Sequence, residues 1–249
     1  MQTIKALAVL SAGSLLFTGC VPFGCGAPAD PTDVQAFVLT ASGTATAPET
    51  IEGIAAAPDG VWLLELGNTY ELVELDRVGG IEKRHIALDD RIAFGLAWDG
   101  TALWVGSRDF ETGAATAKRI DPATGATLAT IALPAAATDL AYDGTYLIVV
   151  QGLGDYEAYA PATGALASSV PVYQLDAVAT VAYHDGETWV AQPGSTALIY
   201  DNGGTLFAKT SSDAFTAAGA HMTFVGDTLV IAQGSALHTY AVDRTAPTL

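Results

Sequence analysis

Short alternating apolar runs, broken every few residues by turn signals, fill the chain from residue 34 onward. The clearest stretch is Phe94 to Leu133. Phe94-Gly-Leu-Ala-Trp98 alternates and stops at Asp99-Gly100, a strong hairpin signal. Ala102 to Gly106 follows with residues that suit a pleated surface. Ser107 to Ala117 is polar and reads as a loop, and Lys118 to Ile120 as a third strand. Asp121-Pro-Ala-Thr-Gly125 supplies a turn, with Pro to preset φ and Gly for positive φ. Ala126 to Leu133 reads as a fourth strand.

A four-stranded unit of this kind cannot bury both faces alone, so copies are expected. The turn recurs as Asp59-Gly60, Asp99-Gly100, Asp143-Gly144 and Asp185-Gly186, then inverted as Gly226-Asp227, with glycines 40–44 residues apart. The strands on either side recur with it, as in Gly53-Ile-Ala55 and Trp62-Leu-Leu64, or Thr180-Val-Ala182 and Trp189-Val-Ala191. This period is that of four-stranded propeller blades. The last copy runs out after Val242 without a fourth strand, while Val34 to Thr40 is a strand with no blade of its own. An open ring would expose edges. The expectation is therefore an all-β, five-bladed β-propeller spanning residues 34–243, its ring closed by the N-terminal strand 34–40, with a tail at 244–249. In motifs such as LAWDGTALWVGS and RIDPATGATLATI the repeat resembles the quinoprotein-like, NHL and WD-repeat propellers. That resemblance implies a fold and leaves the function open.

The first 33 residues lack this pattern. Ala6 to Phe17 is apolar but too short to span a bilayer as a helix. It ends in Leu16-Phe-Thr-Gly-Cys20, which resembles a bacterial lipoprotein signal, with Phe17 where that pattern prefers Leu. The resemblance implies a signal peptide at 1–19, cleavage before Cys20 and lipidation of that Cys. An ordinary secretory signal cut nearby is the alternative. Val21 in the second position implies the outer membrane, facing the periplasm or the cell surface. Residues 20–33, rich in Pro and Gly, read as a tether. Cys25 is then odd, whereas without acylation it could pair with Cys20.

Charge narrows the partners. The chain carries 27 Asp and Glu against 10 Lys and Arg. Between Ile120 and Asp243 only Lys209 is basic, against twelve acids. Such a surface repels nucleic acid and anionic headgroups.

Topology sorts the candidate chemistry. In a four-stranded meander the first and third turns share one face and are tight here. The second turn and the blade-to-blade connection share the other, where longer loops and function are expected. Glu65, Ser107, Gln151, Gln192 and Gln233 fall at one repeat position and form a polar ring on that loop face. Such a ring serves hydrogen bonding between blades or contact with a ligand. Gly53, Gly95, Asp139, Thr180 and His221 fall at the start of the inner strands, beside the channel. Asp139 and His221 break the small-residue pattern and could share a metal or act as an acid–base pair. The longest loops add Asn68, Tyr70, Arg108, Asp109, Phe110, Glu111, Asp155 and Tyr156. Trp62, Trp104 and Trp189 read as core between blades.

No zinc, calcium, phosphate-loop or nucleophile-elbow motif occurs, so no cofactor and no metal are expected. The reading that follows is a non-catalytic binding or scaffolding module that meets a protein, peptide or glycan at the loop face, with a membrane partner through Cys20. An alternative comes from blade 1, where Glu52-Gly-Ile54 and Leu64-Glu65-Leu-Gly67 resemble the five-bladed glutaminyl cyclases. That resemblance implies Glu65 as general acid/base. The chain departs from the family's Asn-containing motif at Ala179 to Ala182.

Overall fold

The computed structural model describes residues 34–89, 92–152, 154–172, 175, 179–192, 196–211, 215 and 219–245. The signal, Cys20, the tether and Cys25 lie outside these residues.

The chain forms five sheets of antiparallel meanders arranged as a ring. It begins with β1 (Gln35–Ala36) and β2 (Val38–Thr46). Blade 1 follows as β3 (Thr50–Ala57), β4 (Gly60–Leu66), β5 (Tyr70–Leu75) and β6 (Glu82–Ala87). Blade 2 holds β7 (Ala93–Trp98), β8 (Leu103–Arg108), β9 (Ala115–Ile120) and β10 (Thr127–Leu133). Blade 3 holds β11 (Asp139–Tyr142), β12 (Leu147–Val150), β13 (Asp155–Tyr159) and β14 (Leu166–Pro171). Blade 4 holds β15 (Thr180–His184), β16 (Glu187–Ala191), β17 (Thr196–Tyr200) and β18 (Leu206–Ser211). Blade 5 holds β19 (Ala220–Val225), β20 (Thr228–Gln233) and β21 (Ala236–Asp243). The inner strands β3, β7, β11, β15 and β19 touch one another in that order and back to β3.

Ring closure is as the sequence requires, with one refinement. β2 pairs antiparallel with β21 from Val38 opposite Asp243 to Thr46 opposite Ala236, and so completes blade 5. The expected strand 34–40, however, is divided between two blades. Gln35 and Ala36 pair in parallel with Ala208 and Lys209 of β18 and give blade 4 a fifth strand. Phe37 marks the crossing. Its buried ring packs against Trp189 and Phe207. The Arg244 guanidinium lies 5.8 Å from its centroid and is held by Glu187 at 3.1 Å.

Apolar wedges between neighbouring blades form the core. Trp62, Leu64 and Leu72 of blade 1 meet Leu96, Leu103 and Val105 of blade 2. Trp104 and Trp189 are fully buried in later wedges, as expected of inter-blade core. Each buried Leu, Ile or Val contributes about 1.5–3 kcal/mol by leaving water. Blade 2 departs from expectation on both sides of its second turn, for β8 runs on through Ser107 to Arg108. Its third strand begins at Ala115, because Asp109 closes the preceding loop early by accepting hydrogen bonds from Glu111 N and Thr112 N.

The two faces separate as the topology predicts. Aspartates cap most turns of the tight face. Asp99, Asp143, Asp121 and Asp201 each accept backbone N–H bonds within their own turns. Asp99 also holds Trp104 Nε1 at 3.0 Å and Arg119 Nε at 2.6 Å. Burial would raise the Asp99 carboxyl, but Arg119 and the turn N–H groups hold it down at about 2.

Candidate functional site

The five inner-strand positions meet at the loop-face mouth of the channel. Two glycines bring the strands close together there. A Cβ on Gly53 would lie 2.8 Å from the Gly95 carbonyl carbon, and one on Gly95 2.6 Å from Asp139 Cα. Gly95 also sits at φ +69°, where a side chain is strained. Asp139 is buried and reaches sideways: its Oδ2 accepts Thr180 Oγ1 at 2.6 Å and Val181 N at 3.2 Å. Its Oδ1 accepts Leu140 N at 2.9 Å. From two blades further on, His221 brings Nδ1 to 3.4 Å from Asp139 Oδ1. That nitrogen is buried and makes no hydrogen bond. Glu52, beside Gly53 on β3, is half-buried. Burial pushes its carboxyl above the usual range, and the nearby His221 pulls it back. One residue further along every inner strand lies a cavity of ≈ 100 Å³, lined by segments 54–56, 96–98, 140–142, 181–183 and 222–224.

Glu65 does not join this group. Its side chain lies on the blade 5 side of β4 and is 3% exposed, with Oε1 unpartnered. Burial pushes its carboxyl above the usual range. His85 opposes that push, and Glu49, Glu82 and Glu71 add to it. Its charged neighbours are thus residues of blade 1 and of the segment before it, not Asp139 or His221.

The rest of the polar ring is engaged. Gln151 Nε2 donates to Glu157 Oε2 at 2.6 Å, an oxygen shared with the Tyr159 hydroxyl. Ser107, Gln192 and Gln233 each have a partner. Among the loop candidates, Asp155 accepts Ser169 Oγ at 2.9 Å. Tyr156 is buried against Tyr200 rather than displayed, and Tyr70 is buried as well. Arg108, Asp109 and Phe110 are exposed, and Phe110 is 70% accessible. Asp109 fixes this loop through its own turn: Asp109 N donates to Ala114 O, Gly113 N donates to Asp109 O, and its carboxylate takes three more donors. The Thr112 bonds hold that carboxyl below the usual range.

The comparisons with known proteins rest on this architecture. The fold resembles that of a glutaminyl cyclase. The crystal structure of the Myxococcus xanthus enzyme aligns over 86% of this chain and 100% of its own, with a TM-score of 0.70 and 15% identity. No protein-family model matches the sequence, and no curated protein does. Because 1091 solved chains match the fold, the architecture alone selects no activity.

A second group was missed by sequence reasoning. On the tight face, His184 Nε2 lies 3.1 Å from Asp227 Oδ1 and 3.7 Å from Asp185 Oδ2, with its ring stacked on Phe224. Only the ring register brings these turns of two blades together. Among the described residues no helix is long and apolar enough to cross a membrane.

Proposed function

We propose that the chain is an exported propeller, lipid-anchored through Cys20 at the outer membrane, that binds a protein, peptide or glycan through its loop face without catalysis. One observation carries this reading. Exposed Phe110, flanked by Arg108, stands on a loop locked by Asp109. Aromatic and Arg side chains on a preorganised loop are typical anchors of binding surfaces. In the polar ring, by contrast, Gln151 is held by Glu157, and Ser107, Gln192 and Gln233 are engaged as well. A photo-crosslinker at position 110 should capture a partner in the native envelope, and Arg108→Glu should remove that crosslink. The same probe at Leu128, on the outer strand β10, should capture nothing. Equal capture at both positions would sink the reading. Cys20→Ser should move the protein from the membrane to the soluble fraction.

A second reading rests on Glu65, a buried carboxyl with a raised pKa and one unpartnered oxygen, in a fold like that of a glutaminyl cyclase. It requires ammonia release from a peptide with N-terminal Gln, abolished by Glu65→Gln. Wild-type protein that releases none removes this reading.

A further inference from the structure

We infer that the tight-face turns of blades 4 and 5 form a site for a divalent transition cation, with His184 Nε2 and the carboxylates of Asp185 and Asp227 as ligands. The inference is independent of whether the loop face binds a partner or performs catalysis, because this group lies at the opposite end of the disc.

The geometry rests on distances. One ligand atom from each of the three residues lies within 4.8 Å of the other two. His184 Nε2 stands 3.1 Å from Asp227 Oδ1 and 3.7 Å from Asp185 Oδ2. Two ligands held about 2.0–2.2 Å from one ion stand roughly 2.8–3.6 Å apart, from octahedral to tetrahedral angles. The first separation falls inside that range. The others come into it by rotation of the aspartates, whose side chains are 84% and 88% exposed. The imidazole is already aimed. Its ring stacks on buried Phe224, with centroids 4.5 Å apart and planes at 14°, and Nε2 faces the two carboxylates. A ligand fixed in advance loses little freedom on binding.

The two carboxylates are not used up by their own turns. Asp99 and Asp143 hold the Asp185 position in blades 2 and 3, and each accepts backbone N–H groups there. Among the described residues Asp185 and Asp227 accept none, and no Lys or Arg pairs with either. A lone His–Asp pair needs one carboxylate. Here a second brings like charge within 4.8 Å of the first, which is repulsive unless a cation stands between them. The arrangement also departs from the repeat. Asp227 stands where the other blades hold Gly60, Gly100, Gly144 and Gly186, because the last turn is inverted to Gly226-Asp227. One imidazole and two carboxylates suit Zn²⁺, Mn²⁺, Co²⁺ or Ni²⁺ better than Ca²⁺, which takes six to eight oxygens. An ion there would pin together the two blades that the N-terminal strands β1 and β2 complete.

The test uses the full chain, stripped with chelator and titrated with Zn²⁺. One equivalent should bind. At free metal about a hundredfold above Kd, the melting temperature should rise by about 5–10 °C. Asp227→Asn, a change at an exposed side chain that leaves the core untouched, should abolish the rise at that metal concentration, and so should His184→Gln. His85→Gln removes the histidine held between Glu71 and Glu82 in blade 1 and should leave the rise intact. A rise that survives Asp227→Asn, or that is lost in folded His85→Gln, would overturn the inference, as would no rise in the wild type. Anomalous scattering from Zn²⁺-soaked wild-type crystals should show a peak between His184 and Asp227, and its absence refutes the site. Ca²⁺ at the same concentration should give no shift, and an equal shift would refute the ligand set.

Discussion

The two faces of this propeller come from one repeat but use their polar side chains differently. On the tight face the turn aspartates mostly serve their own turns, and Asp99 adds Trp104 and Arg119 from its own blade. At the loop-face mouth Asp139 reaches across blades, to Thr180 and toward His221, although Gln151 and Asp155 are satisfied within their own blade. Among the described residues, three of the four buried polar atoms without partners, on Glu65, Thr210 and His221, lie at the loop-face ends of their strands. The fourth, Trp98 Nε1, lies near the tight face. A face whose groups are satisfied locally can repeat without change, whereas one that depends on neighbouring blades can differ from blade to blade. Differences between blades are where function can reside.

Substitutions sharpen this contrast. The largest effect is expected at the mouth. Gly95→Ala should cost more than about 3 kcal/mol, because it combines a left-handed φ with overlap on the Asp139 backbone. Gly100→Ala on the tight face has φ +95° but no atom within 4 Å, and should cost only about 1–2 kcal/mol. Urea midpoints of the two variants measure the difference, and equal losses would show that close approach at the mouth contributes nothing.

Next comes the tight-face network. Asp99→Asn should cost about 2–3 kcal/mol at pH 7 by leaving Arg119 without its anion. The Asp99 pKa is lowered from 3.8 to about 2 in the fold. Its contribution is therefore complete above pH 3.8 and disappears as pH falls through about 2. Wild type and variant should converge in denaturation at that pH.

The smallest effect is at Glu65, where the sign reverses. Its pKa is raised by burial, so the fold disfavours the charged form above the ordinary value of 4.5. Glu65→Gln should fold and be more stable by roughly 0.5–1 kcal/mol at pH 8. That gain should vanish below pH 4.5, where the wild-type carboxyl is neutral in both states. A loss of stability at pH 8 would mean that the charged carboxylate has a partner holding the blades together.

The fold was legible because each blade carries the same turn chemistry, and because the missing fourth strand of blade 5 has only Val34 to Thr40 to supply it. The division at Phe37 was not legible, since a two-residue pairing such as β1 leaves no periodicity. Asp155 and Tyr156 read as loop because they follow Gly154 directly. In fact β13 begins at Asp155, and strand alternation turns Tyr156 inward. Asp139 and His221 could be nominated from repeat position, yet their separation depends on how the ring closes. Glu65 shares a repeat position with the glutamines of the polar ring, and only the packing of blade 1 on blade 5 shows that it stands apart from the mouth.

The path of the first described strands also sets a direction. Gln35 lies level with Ala208 near the start of β18, and Val38 lies opposite Asp243 at the end of β21. Both positions belong to the tight-face end of their blades. The described chain therefore enters the disc at its tight-face end, and the mouth, the polar ring and Phe110 stand at the opposite end.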